Sequence, residues 1–145
     1  MALIMTENWA KGSEPKDLEE FLIETTKDSY KMDIFRLAIC NCGSVVFHYF
    51  MDDDEGVARR VCSSCGDDHY ICDSKDNLEE ADLVEYECTC GSSLVNIGVG
   101  FALKADKGDI KWLYTAVRCR KCGYLSWGAN WKIGYGPSLQ LIDEV

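Results

Sequence analysis

The sequence predicts a mainly β protein, with two tandem β-hairpin units, each clasped by cysteines, and one N-terminal helix. Three observations carry this. Eight of the nine cysteines fall into four tight pairs, Cys40/Cys42, Cys62/Cys65, Cys88/Cys90 and Cys119/Cys122, and each pair is followed at once by glycine. Between paired cysteines the chain alternates apolar and polar residues about a short turn, as hairpins do. Helical spacing is clear near the N-terminus, from Pro15 to Thr26, where Leu18, Phe21, Leu22 and Thr25 share one face.

Taken in order, Ser13 is placed to cap that helix, with Pro15 in its first turn and Asp17, Glu19 and Glu20 near its positive end. We expect the apolar face to pack on the hairpins. Ile34–Ile39 reads as a strand leading into the first cysteine pair, and Val45–Phe50 as the strand leaving it. Asp52–Gly56 is an acidic turn, and Val57–Val61 returns to Cys62. His69–Cys72 reads as a short strand, and 73–83 as an acidic linker. Val84–Glu87 opens the second unit. Leu94–Lys104 and Ile110–Arg118 are its long arms, with Gly98 and Gly100 marking a bulge or a close backbone approach. Beyond Gly123, Trp127, Trp131 and the trio Leu139, Leu141 and Ile142 suggest one or two further strands. The expected divisions are an N-terminal segment (1–33, helix 15–26), a first unit (34–72), the linker (73–83) and a second unit with C-terminal strands (84–145).

The order CxCG, CxxCG, CxCG, CxxCG is one metal-binding spacing written twice. Thiolates are soft ligands, and four held tetrahedrally suit zinc. The glycines permit positive φ, which brings amides toward the sulfurs. Disulfides would leave one of nine cysteines over, and a CxC disulfide closes a strained ring. Four thiolates also suit an iron centre, but the strand context favours two structural Zn²⁺ sites. Sequential pairing puts Cys40, Cys42, Cys62 and Cys65 on one ion and Cys88, Cys90, Cys119 and Cys122 on the other. A nested pairing, with Cys62/Cys65 joined to Cys88/Cys90, satisfies the same spacing. Cys72 reads as a buried, inert thiol, and His48 and His69 are not needed as ligands.

Paired knuckles at the end of a hairpin, here "CNCG…CSSCG" and "CTCG…CRKCG", resemble the zinc ribbons, over residues 34–133. The resemblance implies tandem zinc-ribbon-like units with metal as a staple. Zinc ribbons occur in transcription factors, ribosomal and polymerase subunits, enzyme appendages and docking modules. The first knuckle of each pair is one residue short of the usual CxxC, and none carries the usual proline.

The formal net charge is −10, and two tetrathiolate zinc sites take it toward about −14. Such a charge opposes non-specific nucleic-acid binding and suits a basic protein partner. Thirteen acids against three basic residues lie between Asp52 and Glu87. The exception is Asp106–Lys132, where Lys107, Lys111, Arg118, Arg120, Lys121 and Lys132 interleave with Trp112, Tyr114, Tyr124, Trp127 and Trp131. No nucleophile–base spacing, phosphate loop or HExxH occurs. There is no long apolar run and no leader-like start. The expectation is a non-catalytic, cytoplasmic, zinc-binding protein-interaction module with an acidic face, such as an inhibitor or immunity-type protein masking a basic partner. The alternative is a nucleic-acid-associated or transcription-related regulator using the basic, aromatic second unit.

Overall fold

The computed structural model describes residues 3–6 and 8–145; Met1, Ala2 and Glu7 of the N-terminal segment lie outside the described residues. The fold is mainly β with one α-helix. A small hairpin, β1 (Leu3–Met5) and β2 (Ala10–Gly12), precedes α1 (Asp17–Thr26). There follow β3 (Ile34–Leu37), β4 (Phe47–Asp52), β5 (Val57–Cys62) and β6 (Asp68–Tyr70). After a 3-10 turn at Ser74–Asn77 come β7 (Val84–Glu85), β8 (Val95–Leu103), β9 (Ile110–Cys119) and β10 (Leu125–Lys132), then a 3-10 turn at Leu139–Asp143. The helix starts two residues later than the sequence suggests, and Ser13 does not cap it. Lys16 holds the cap position without a side-chain bond, while the buried Asp17 accepts the amide of Glu14.

The two hairpins are parts of one antiparallel sheet of order β10-β9-β8-β4-β5-β6. Their leading strands are exchanged. β3, which precedes the first knuckle, pairs with β8 of the second hairpin, and β7, which precedes the third knuckle, pairs with β4 of the first. The exchange is reciprocal residue for residue. Leu37 pairs with Gly98, and Glu85 pairs with Phe50. Leu37 and Glu85 hold the same position relative to Cys40 and Cys88, as do Gly98 and Phe50 relative to Cys90 and Cys42. One residue closer to each knuckle, Ala38 donates to Ile97, and Tyr86 donates to Tyr49. The strands leaving the knuckles match too, with Val61 opposite Asp68 and Arg118 opposite Leu125. The hairpins join at Phe47↔Val95, two equivalent residues paired antiparallel. Such a pairing is what a local pseudo-two-fold axis requires. Residues 73–83 therefore connect two interlocked halves.

Side-chain alternation along β8 builds the layers. Val95, Ile97, Val99 and Phe101 enter the main core with Phe47, Tyr49, Leu113 and Val117. The opposite face carries Gly98, Gly100 and Ala102. There a Cβ on Gly98 would meet the Phe35 ring at 2.7 Å and one on Gly100 the Met32 sulfur at 2.5 Å. The glycines mark a close approach, and α1 lies over them with Leu18, Phe21 and Leu22 buried beside Tyr114, Ala116 and Leu125. Burying each of those three large side chains is worth about 1.5–3 kcal/mol. The first hairpin curls over the other face. Tyr49 Oη donates to Thr115 Oγ1, Thr115 Oγ1 to the Ala129 carbonyl, and the Ala129 amide back to Tyr49 Oη. This closed ring of three bonds needs a bulge in β10 between Trp127 and Asn130, and a Cβ on Gly128 would overlap the Tyr49 hydroxyl at 2.3 Å. At the tip of the hairpin, Gly56 lies on Trp131, whose indole N–H donates to Asp73.

Candidate metal centres

Each knuckle is a tight turn with its own hydrogen-bond closure. In the two CxxCG turns the glycine amide returns to the first cysteine carbonyl, Gly66 to Cys62 at 3.0 Å and Gly123 to Cys119 at 2.8 Å. That first cysteine donates across the turn, Cys62 to Asp67 and Cys119 to Tyr124. The CxCG turns make the same two bonds with one residue fewer: Gly43 to Cys40 and Gly91 to Cys88, then Cys40 to Ser44 and Cys88 to Ser92. The glycines have φ of 93°, 78°, 94° and 81° at Gly43, Gly66, Gly91 and Gly123. An L-side chain rarely adopts that conformation. The short knuckle is thus a variant of the long one with the same closure.

The turns bring eight sulfurs into two groups, Cys40, Cys42, Cys62 and Cys65 in one and Cys88, Cys90, Cys119 and Cys122 in the other. This is the sequential arrangement. Within each group all sulfurs lie within 4.8 Å of one another, with edges of 3.5 Å (Cys40–Cys65 and Cys90–Cys119) and 3.6 Å (Cys42–Cys62 and Cys88–Cys122). Four sulfurs about 2.3 Å from a shared tetrahedral centre stand about 3.8 Å apart. The spacing therefore fits a single ion per group, and no sulfur pair is a disulfide. In each knuckle the first cysteine is buried, whereas Cys42, Cys65 and Cys90 are exposed and Cys122 is partly so.

The backbone prepares these groups for a cation. The amides of Cys65 and Ser64 aim at the Cys62 sulfur, the latter at 3.4 Å, and bring its thiol down to about 6. At Cys119 burial works against ionisation, yet the amides of Cys122 and Lys121 and the sulfur of Cys90 bring the thiol to about 7. Cys65 and Cys122 stand at about 12. At Cys65 the Asp67 amide favours the thiolate, but hydrogen bonds with Cys40 and Cys42 hold the proton; at Cys122 burial and the bond with Cys88 do so. Loading a metal releases the protons that the thiols hold.

A second observation supports a strongly negative centre at the first group. Arg60 is buried, and among the described residues its Nε and Nη1 have no partner, while Nη2 donates to the Val145 main-chain oxygen. Its guanidinium stacks on Phe47 at 4.8 Å and faces Cys40, Asp67 and Cys62, so one carboxylate already balances part of its charge. Buried donors without acceptors are costly, and a divalent ion with four thiolates would supply the missing negative charge. The equivalent residue in the second unit is Val117. Sequence reading did not single out Arg60, although a basic residue just before a cysteine knuckle is a visible signal.

The remaining candidates stand apart. Cys72 is buried at a left-handed turn (φ 55°), its thiol donates to the Leu141 carbonyl, and burial pushes it well above the ordinary thiol range. His48 bonds Glu85 at 2.9 Å, and His69 donates to the Glu144 carbonyl. The aromatics of 106–132 are largely structural. Tyr114 and Trp131 are buried, Trp112 packs against Tyr30 and donates to Asn130, and Trp127 is the more open one at 36% exposure. Arg118 is also structural, with one N–H on the Gly12 carbonyl and another on Asn96, which holds Val45 in turn.

Comparison with protein-family models, with curated proteins and with solved structures finds no match. Among the described residues no helix is long and apolar enough to cross a membrane.

Proposed function

We propose that this chain is a non-catalytic, zinc-stapled protein-interaction module whose acidic surface binds a basic protein, as an inhibitor or immunity-type protein does. The carrying observation is the division of labour in the molecule. All eight knuckle sulfurs turn toward one another in closed groups of four, which leaves no open coordination position for chemistry. The acids, by contrast, are mostly unspent. Among the described residues Glu14, Glu24, Asp33, Asp68 and Glu85 are the ones that meet a basic side chain or histidine. Zinc is the ion this thiolate set suits, and reduced cysteines of this kind suit a reducing compartment such as the cytoplasm. The test is calorimetric titration of the zinc-loaded protein with a basic protein or arginine-rich peptide over a salt series. Binding that weakens steeply with salt is expected. Absence of binding at low ionic strength would sink the reading.

A second reading, nucleic-acid association, has its own support. Lys104, Lys111 and Lys132 border a groove of about 420 Å³, none of them meets a carboxylate among the described residues, and Lys111 lies 4.3 Å over the Tyr30 ring beside Trp112. Single-stranded oligonucleotide binding that Lys111→Glu abolishes would favour it.

A further inference from the structure

We infer that the groove between β7 and the end of β4 is the seat of an extended, cationic segment of the partner that carries one apolar anchor residue. The inference rests on the reading that the partner is basic, and adds to it the place and the mode of contact. The groove measures about 410 Å³ and has Met51, Val84 and Tyr86 on its walls. Val84 is 65% exposed, the largest value among the exposed large apolar side chains of the described residues. Its rim is wholly acidic where it is charged, and the rim acids divide by use. Asp52 accepts the amides of Asp54, Glu55 and Asp82, and Asp53 accepts that of Asn130, so these two hold the groove in shape. Asp82 and Glu87 are exposed with no basic partner among the described residues, and Glu85 meets only His48.

Backbone geometry points the same way. β7 pairs with β4 on one side and has no strand on the other among the described residues. The Tyr86 amide bonds inward to Tyr49. By strand alternation, the amide and carbonyl of Glu85 then face off the edge, where an extended chain can add. Lysine or arginine on either side of an aliphatic residue would meet Asp82 and Glu87, while that residue covers Val84 and Met51. A nucleic acid is repelled by the same rim, and an acidic peptide likewise. The groove is pinned by Asp52 across the connection between the halves, so the groove itself incurs little ordering cost on binding.

The experiment uses the full zinc-loaded chain and two synthetic nonapeptides of equal charge, one with a central leucine flanked by arginines and one with serine in its place. Binding is read by fluorescence anisotropy at low and high salt. The leucine peptide is expected to bind about tenfold tighter or more, in line with burial of one aliphatic side chain. Val84→Asp is the decisive variant. It adds negative charge, so attraction by charge alone would tighten both peptides, whereas the groove requires that the leucine preference disappear. Asp82→Asn with Glu87→Gln should weaken both peptides and flatten the salt dependence, with zinc content unchanged as the check on folding. Equal binding of the two peptides, or tightening of both by Val84→Asp with the leucine preference retained, would overturn the inference while leaving a basic partner in place. Failure of both peptides to bind at low salt would defeat the broader reading as well.

Discussion

Arg60 makes the two four-cysteine groups unequal, and the difference is measurable once they are loaded with metal. With four thiolates and a divalent ion, each centre carries a net −2. The first faces a buried guanidinium with two unpaired donors, and the second has Val117 at the equivalent position. A charge pair about 4 Å apart at an effective dielectric near 20 is worth about 4 kcal/mol. Cys42 and Cys65 are exposed, so solvent screens part of the cluster. Asp67 also shares the guanidinium, so we take about 1–2 kcal/mol, or roughly 5- to 30-fold in affinity. Arg60→Met keeps the packing volume and removes the charge. It should lower metal affinity at the first centre by that factor and leave the second unchanged. The metal-free stability should move by about 1 kcal/mol or less, because the variant loses the Val145 bond and the Phe47 stacking but also relieves two buried unpaired donors. The assay is chelator competition with metal release followed by site-resolved alkylation of the cysteines. In the wild-type chain the second group should alkylate first; in Arg60→Met the order should reverse or merge, and Arg60→Lys should restore part of the difference. Unchanged release from the first group, or equal weakening of both, would refute the electrostatic argument.

Further outcomes follow from the same geometry. Fragments 1–82 and 83–145 should each fail to show cooperative unfolding, because each half lacks the strand the other supplies, and mixing them with zinc should restore the sheet signal in circular dichroism. Tyr49→Phe breaks the ring with Thr115 and Ala129 and leaves a buried amide unpaired, a loss of about 1–3 kcal/mol in urea denaturation. Gly128→Ala should destabilise by a similar amount, about 1–3 kcal/mol, since its Cβ collides with the same hydroxyl. The Asp82 amide holds Asp52 below the usual carboxylate value of 3.8, and the Arg59 guanidinium does the same for Asp68. Their folded values lie below the unfolded ones, so the stability they contribute is full above pH 3.8 and is lost as pH falls through the lower folded values. Asp68→Asn should make the denaturation midpoint less sensitive to pH in that acid window.

The metal groups were legible in the sequence because a knuckle is a local object. Two sulfurs, a glycine with positive φ and one or two residues between them suffice to define it, and each lies within a few residues of chain. The hairpins were legible for the same reason, since a short turn joins strands that pair with each other. The exchange of β3 and β7 was hidden because their pairing is not local. Ile34–Leu37 has the alternation of a strand, and nothing in those four residues says which hairpin it joins. What decides it lies some sixty residues on. Gly98 and Gly100 leave room for Phe35 and Met32, and no such gap exists on β4, where Phe50 stands in place of Gly98. The glycines were visible as a sign of close approach, but not the partner they admit. Trp112, Tyr114 and Trp131 were ambiguous in the same way, since core and binding platform share one composition. Basic and aromatic residues interleaved on a strand look like a binding platform, and only the packing of α1 and of the first hairpin shows that most of those rings are core.

The pseudo-symmetry narrows where function can lie. Features that obey it, namely knuckle closure, hairpin register and exchanged strands, are explained by folding and need no partner. Function is to be sought where the halves differ. One difference is α1, which covers the glycine face of β8 and has no counterpart on β4 among the described residues. Another is Arg60 against Val117, which concerns the metal. The third is the surface of the leading strands. In the first half Arg36 stands where the second half has Val84, at matched distances from Cys40 and Cys88, and Leu37 stands where it has Glu85. A shared strand position thus carries an exposed valine ringed by acids in one half and a basic residue in the other. Folding alone gives no reason to expose Val84 to water among carboxylates. A partner with an apolar residue set between positive charges supplies one, and the acidic groove at β7 is the asymmetric surface most in need of such an explanation.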